Sequence, residues 1–122
     1  MRNRNTTKPR KGVEELNLAD VEFIREQVGT AEGAFKEKIN PVLKQFNIES
    51  AYLVSAQYPD RKQAVVLTFE GEVHDRRQLA DVVGKEFALM FRSDTFLDMI
   101  FLTPMKSVEI SRVAKPFYKK GS

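Results

Sequence analysis

Apolar residues recur along this chain at two different periods. Between residues 30 and 46, Phe35, Ile39, Val42, Leu43 and Phe46 follow one another at gaps of four, three, one and three. That spacing keeps them on one face of an α-helix. Thr30 is placed to cap its start, and Gly33 weakens its first turn. Pro41 lies inside the run and leaves two readings. One is a kinked single helix. The other is a fresh start, with Asn40 as N-cap and Pro41 at the first helical position, where a missing N–H costs nothing. A second helical run covers residues 76–91, with Leu79, Val82, Val83, Phe87 and Met90 on one face and Asp75 as its N-cap. Ser93-Asp94 ends it.

The other period is two. Residues 50–58 and 63–70 are rich in β-branched and aromatic side chains, and Pro-Asp-Arg-Lys at 59–62 has turn chemistry. Together they predict an antiparallel hairpin. Alternation puts Leu53, Val65 and Leu67 on the inward face. Val54 and Val66 ask for partial cover on the other face. Residues 96–102 predict a further strand, with Asp98 interrupting its apolar run and Thr103-Pro104 ending it. Residues 21–28 fit a short strand or a helical turn alike. Ser107 is placed to start a short helix through Ala114, followed by Pro116, Phe117 and Tyr118. The order predicts an α+β fold: a small, mainly antiparallel sheet with two main helices packed on one face and a short C-terminal helix.

Composition narrows the class. A length of 122 residues fits one domain, and 42% hydrophobic residues with nine Phe is enough for a core. No apolar run reaches the roughly 18–20 residues of a membrane span. With no Cys there is no disulfide, thiol nucleophile or Cys-ligated metal. Charge is unevenly spread. Of 20 Lys and Arg, five (Arg2, Arg4, Lys8, Arg10 and Lys11) fall in residues 1–12 with no acid among them, leaving 15 basic against 17 acidic residues. The pI near 9.2 therefore belongs to the tail. The expected organisation is a disordered basic tail over residues 1–12 and a single domain over 13–122. The tail has no following apolar stretch, so it does not read as a secretory signal.

Candidate chemistry is sparse. His74 is the one His, in a loop with Glu70, Glu72 and Asp75. Imidazole titrates near neutral pH, but the ligand spacing of a known metal site is missing, and a solvated loop capped by Asp75 explains the residues better. None of Ser50, Ser55, Ser93, Ser107 and Ser111 lies in a Gly-x-Ser-x-Gly elbow. Gly29 and Gly33 are followed by no Gly-Lys-Ser/Thr, so no phosphate loop is present. Asp98 reads as the solvent-facing position of an edge strand, where a charge discourages strand addition. No catalytic centre, cofactor or metal site is expected. Phe117 and Tyr118, after Pro116, read as a latch closing the core. Exposed beside Lys115, Lys119 and Lys120, they would instead form a docking spot.

Four stretches together resemble the C-terminal domain of the SseB family, the enhanced serine sensitivity proteins. They are Gly29 before the first helix, Ile48-Glu-Ser-Ala-Tyr-Leu-Val-Ser-Ala56, Val65-Val-Leu-Thr-Phe-Glu70, and the ending from Leu97 to Pro116-Phe117-Tyr118. The resemblance covers residues 20–119. Family members often have Pro two residues after the Gly, where this chain has Ala31, and many carry a separate N-terminal domain. The family name comes from a phenotype, so the resemblance implies a fold and leaves the activity open. The expected function is a non-catalytic cytoplasmic interaction module, binding another protein or itself through a sheet edge or a helix groove, with no membrane contact. The alternative is weak binding to nucleic acid or an anionic surface through the basic tail, since clustered cations release counterions from phosphate.

Overall fold

The residues picked out by the period of two form one mixed sheet. The computed structural model describes residues 20–60, 62–91 and 97–121. In chain order these make β1 (Glu22–Glu26), α1 (Thr30–Gln45), β2 (Ser50–Gln57), β3 (Gln63–Glu70), α2 (Arg76–Met90), β4 (Leu97–Phe101), α3 (Pro104–Ser111) and β5 (Tyr118–Lys119). The sheet order is β1-β2-β3-β4, and β5 joins β2. The β2–β3 hairpin is antiparallel and unbroken from Ser50 opposite Glu70 to Gln57 opposite Gln63. β4 runs parallel to β3, from Leu97 beside Val65 to Phe101 beside Phe69. Parallel neighbours need a crossover, and α2 supplies it. The fold is α+β, with three of the four strand pairings antiparallel.

The ambiguous stretch at 21–28 is a strand. β1 pairs antiparallel with β2, and a bulge between Phe23 and Arg25 leaves Ile24 as the extra residue. β1 covers residues 54–57 of β2. The chain returns at the other end of β2 to pair with its first two residues, with Tyr118 opposite Ala51 and Lys119 opposite Ser50.

Alternation along β2, β3 and β4 builds two apolar layers. On one face Leu53, Leu67, Phe69 and Met99 meet Phe35, Ile39 and Leu43 of α1 and Leu79, Val83 and Phe87 of α2. Phe35 packs edge-on against Phe87 at 5.5 Å and Phe91 at 5.8 Å, and those two stack at 4.5 Å. On the other face Tyr52, Val54, Val66 and Ile100 meet Val21, Phe23 and Ile110. α3 therefore covers the face opposite the two long helices, which is the cover that Val54 and Val66 required.

Two helix starts differ from expectation, and one of the two readings of Pro41 is selected. α1 begins with Gly29 as N-cap and no side-chain cap, so Thr30 is its first residue rather than its cap. Pro41 sits within one continuous helix, which sets aside the fresh start at Asn40. α3 starts at Pro104, three residues before Ser107. Thr103 Oγ1 accepts from the Lys106 N–H at 3.3 Å, and Pro104 takes the first turn, where its missing N–H is harmless. Ser107 instead lies inside the helix, its own N–H bonded to the Thr103 carbonyl at 2.9 Å. Asp75 does cap α2, accepting from Gln78 N–H at 3.0 Å. The expected helix stop at Ser93-Asp94 and the start of the last main strand at Phe96 lie outside the described residues.

α1 ends in a paired turn. Ile48 N–H donates to Leu43 O at 3.1 Å and Asn47 N–H to Lys44 O at 3.2 Å. Asn47 occupies the left-handed region, with φ 61°. This is the six-to-one and five-to-two pattern that closes helices, with Asn in the position more often held by Gly.

Candidate docking cleft

α1 carries two stripes at a spacing of four. Phe35, Ile39 and Leu43 face the core. Lys36, Asn40 and Lys44 form the neighbouring stripe, turned toward the returning C-terminal segment. That segment is fixed through its backbone. The Lys115 N–H donates to Glu26 Oε1 at 3.3 Å, Phe117 N–H to Ala51 O at 3.0 Å, and Lys120 N–H to Glu49 O at 2.8 Å. Phe117 and Tyr118 are half-buried and pack against the core from its rim. Lys36 Nζ lies 5.8 Å from the centre of the Phe117 ring and 3.6 Å from Glu26 Oε2. An ammonium over an aromatic face is worth about 0.5–1 kcal/mol at such sites.

Between the helix stripe and this segment is an open cleft of about 480 Å³, lined by Asn40, Pro41, Lys44, Phe117, Tyr118 and Lys119. Small-ligand sites commonly enclose about 300–1,000 Å³. The lining combines Pro41 and the two aromatics with two lysine residues, Lys44 and Lys119, both exposed. Lys120 stands beside it, its Nζ donating to Asn47 Oδ1 at 2.6 Å. Asn40 contributes an amide whose Oδ1 is buried with no hydrogen-bond partner. Such an orphan acceptor is uncommon in folded proteins.

The expected site residues divide. Phe117 and Tyr118 reach the cleft, while Pro116, half-buried, lies just before them and outside its lining. Arg2, Arg4, Lys8, Arg10 and Lys11 lie outside the described residues. The sequence reading places Lys119 beside a Phe117–Tyr118 docking spot but does not connect Asn40, Pro41 or Lys44 with it. The signal available in the sequence was the Lys36–Asn40–Lys44 spacing, but nothing in the sequence brings that stripe to Phe117.

The other candidates take structural places. His74 and Glu72 are exposed, and Asp75 is occupied as a helix cap. Among the described residues no three His, Asp or Glu side chains gather as a metal site. Asp98 is a correction to the sequence reading. It is half-buried, and its Oδ2 accepts from the Tyr58 hydroxyl at 2.5 Å, joining the β2–β3 turn to β4. Ser50 and Ser55 are buried in β2, and the Ser111 hydroxyl donates to Val108 O at 2.7 Å. Tyr52, on the α3 face, is pushed above its usual 10.0, first by burial and then by the Glu70 carboxylate. Among the described residues no helix is long and apolar enough to cross a membrane.

The chain matches no protein-family model, no curated protein and no solved structure.

Proposed function

We propose that this chain is a non-catalytic cytoplasmic protein-interaction module, related to the C-terminal domain of SseB proteins, which docks another polypeptide in the cleft between α1 and β5. The observation that carries the reading is the cleft lining, where half-buried aromatics and exposed lysines are brought together at an opening to solvent. Aromatic residues provide contact area at low entropic cost, and cations at the rim select and steer a partner. The family part rests on the order of the matching residues. Gly29 precedes α1, residues 48–56 lead into and through β2, residues 65–70 lie in β3, and residues 97–118 run from β4 through α3 to β5.

Affinity capture with the full chain tests this. After nuclease treatment, a protein partner is retained by the unmodified chain and by His74→Ala, and is lost with Lys44→Glu/Lys119→Glu. Equal retention by the double variant refutes docking at the cleft, and a cellular phenotype from His74→Ala in a stably folded protein favours a catalytic role for the His74 loop.

The second reading is binding of nucleic acid or an anionic surface through residues 1–12. It is favoured by the segregation of five basic residues there, beside a remainder with 15 basic and 17 acidic residues. Its mark is capture of nucleic acid that weakens steeply with salt and vanishes when Arg2, Arg4, Lys8, Arg10 and Lys11 are all changed to Gln.

A further inference from the structure

We infer that the occupant of the α1–β5 cleft is an extended acidic segment of a partner protein, in which an apolar side chain is flanked by Asp or Glu. The inference rests on the docking reading above and adds the chemistry of the ligand.

Charge argues first. The lining holds Lys44 and Lys119 and no carboxylate. Glu26, which anchors the C-terminal segment, is shared between Lys36 Nζ at 3.6 Å and the Lys115 N–H at 3.3 Å. Glu37 lies one turn earlier on α1, outside the lining. Lys120 adds a third ammonium beside the opening, held by Asn47. A lining with two lysines and no carboxylate favours a negative visitor over a basic one.

The apolar part argues second. Pro41, Phe117 and Tyr118 offer hydrophobic surface between the two lysines. A volume of about 480 Å³ suits a side chain with its flanking backbone. A bare anion would leave that surface wet, and a wholly apolar segment would leave the cations unmatched. Asn40 stands at the same wall with Oδ1 lacking a donor.

The same details argue against a nucleic acid here. Single-strand binding uses aromatic faces laid open for bases and a groove of cations following the phosphates. Phe117 and Tyr118 are half-buried and packed on the core, and two lining lysines make no continuous track.

The test is selection of random heptapeptides displayed on phage against the full chain, followed by calorimetric titration of the selected peptides. Two variants serve as comparisons: Lys44→Glu/Lys119→Glu, with its fold checked by circular dichroism, and the milder Lys119→Gln at an exposed position. The expected result is enrichment of peptides with an apolar residue between acidic ones. They bind the double variant at least about tenfold more weakly, bind Lys119→Gln with an intermediate loss, and bind more weakly as salt rises. Selected peptides without acidic residues, or acidic peptides that bind all three proteins equally, overturn the inference and leave a protein-interaction module standing at another surface. Failure to enrich any peptide, together with binding of a fluorescent oligothymidine to the full chain, overturns both the inference and the docking reading.

Discussion

The ammonium of Lys106 donates to the carbonyl of Val21 at 2.7 Å, across 85 positions of chain. This single bond joins α3 to the residue that leads into β1, on the face of the sheet away from the two long helices. The same Nζ meets Glu109 Oε1 at 2.7 Å and lies 5.5 Å from the centre of the Phe23 ring. Lys106 is only 5% exposed. A buried ammonium is tolerated when its donors are all engaged, and here two oxygens and a ring face engage it.

Replacing Lys106 with Met keeps the aliphatic stem but strands the Val21 carbonyl and unpairs Glu109. We expect a loss of about 2–4 kcal/mol in urea unfolding. Glu109→Gln, at a side chain 44% exposed, should cost about 1 kcal/mol or less. Equal small effects from both would show that α3 is held by its apolar contacts alone.

Gly71 and Asn47 are among the positions held in left-handed backbone. Gly71 has φ +112°, and a Cβ there would lie 2.6 Å from Glu49 Cγ and 3.0 Å from the Glu49 backbone nitrogen. Gly71→Ala should therefore destabilise by about 1–3 kcal/mol. Asn47→Gly should change stability by less than about 1 kcal/mol, since it relieves backbone cost but loses the Lys120 contact. Asn47→Val should cost about 1–2 kcal/mol. Thermal unfolding of the three variants checks the order.

The cleft wall is not built for stability. Pro41 is exposed and interrupts the hydrogen bonding of α1, and Asn40 holds an orphan oxygen. Pro41→Ala should raise stability by about 1–3 kcal/mol. Asn40→Leu should raise it by about 1 kcal/mol. Asn40→Leu should also weaken binding of acidic peptides while raising the melting temperature, a split that calorimetry and thermal melts read separately.

Tyr52 makes alkaline stability fall. Its folded pKa lies above the unfolded value near 10, so above pH 10 the unfolded chain loses this proton first. The native state then binds more protons than the unfolded state, and unfolding free energy declines as pH rises from 10 toward the folded pKa. Below pH 10 the contribution is fully present. Tyr52→Phe should flatten that decline, as measured by chemical unfolding at a series of alkaline pH values. An unchanged slope would assign the decline to other groups.

The sequence was most legible where one physical period dominated. Phe35, Ile39 and Leu43 faced the core as their spacing required, and so did Leu79, Val83 and Phe87. The β2–β3 hairpin followed from β-branched residues on both sides of a Pro-Asp turn. Local chemistry misled where two residues competed for one role. Thr103 with Pro104 outcompeted Ser107 as a helix start, because Pro fits the first turn and Thr103 reaches Lys106 N–H. Asp98 looked like a solvent-facing charge because its partner, Tyr58, is 40 positions away. The cleft was illegible for the same reason. Phe117 and Tyr118 stood out in the sequence, but their meeting with Asn40, Pro41 and Lys44 depends on β5 pairing with the end of β2 that β1 leaves open.

The most direct measurement is photo-crosslinking in cells from p-benzoylphenylalanine placed at position 41, in the cleft lining, or at position 89, where Leu89 is 81% exposed on α2. Docking in the cleft predicts a discrete adduct with another polypeptide from position 41, absent from position 89 and lost with Lys44→Glu/Lys119→Glu. No adduct from position 41, or the same adduct from both positions, would contradict it.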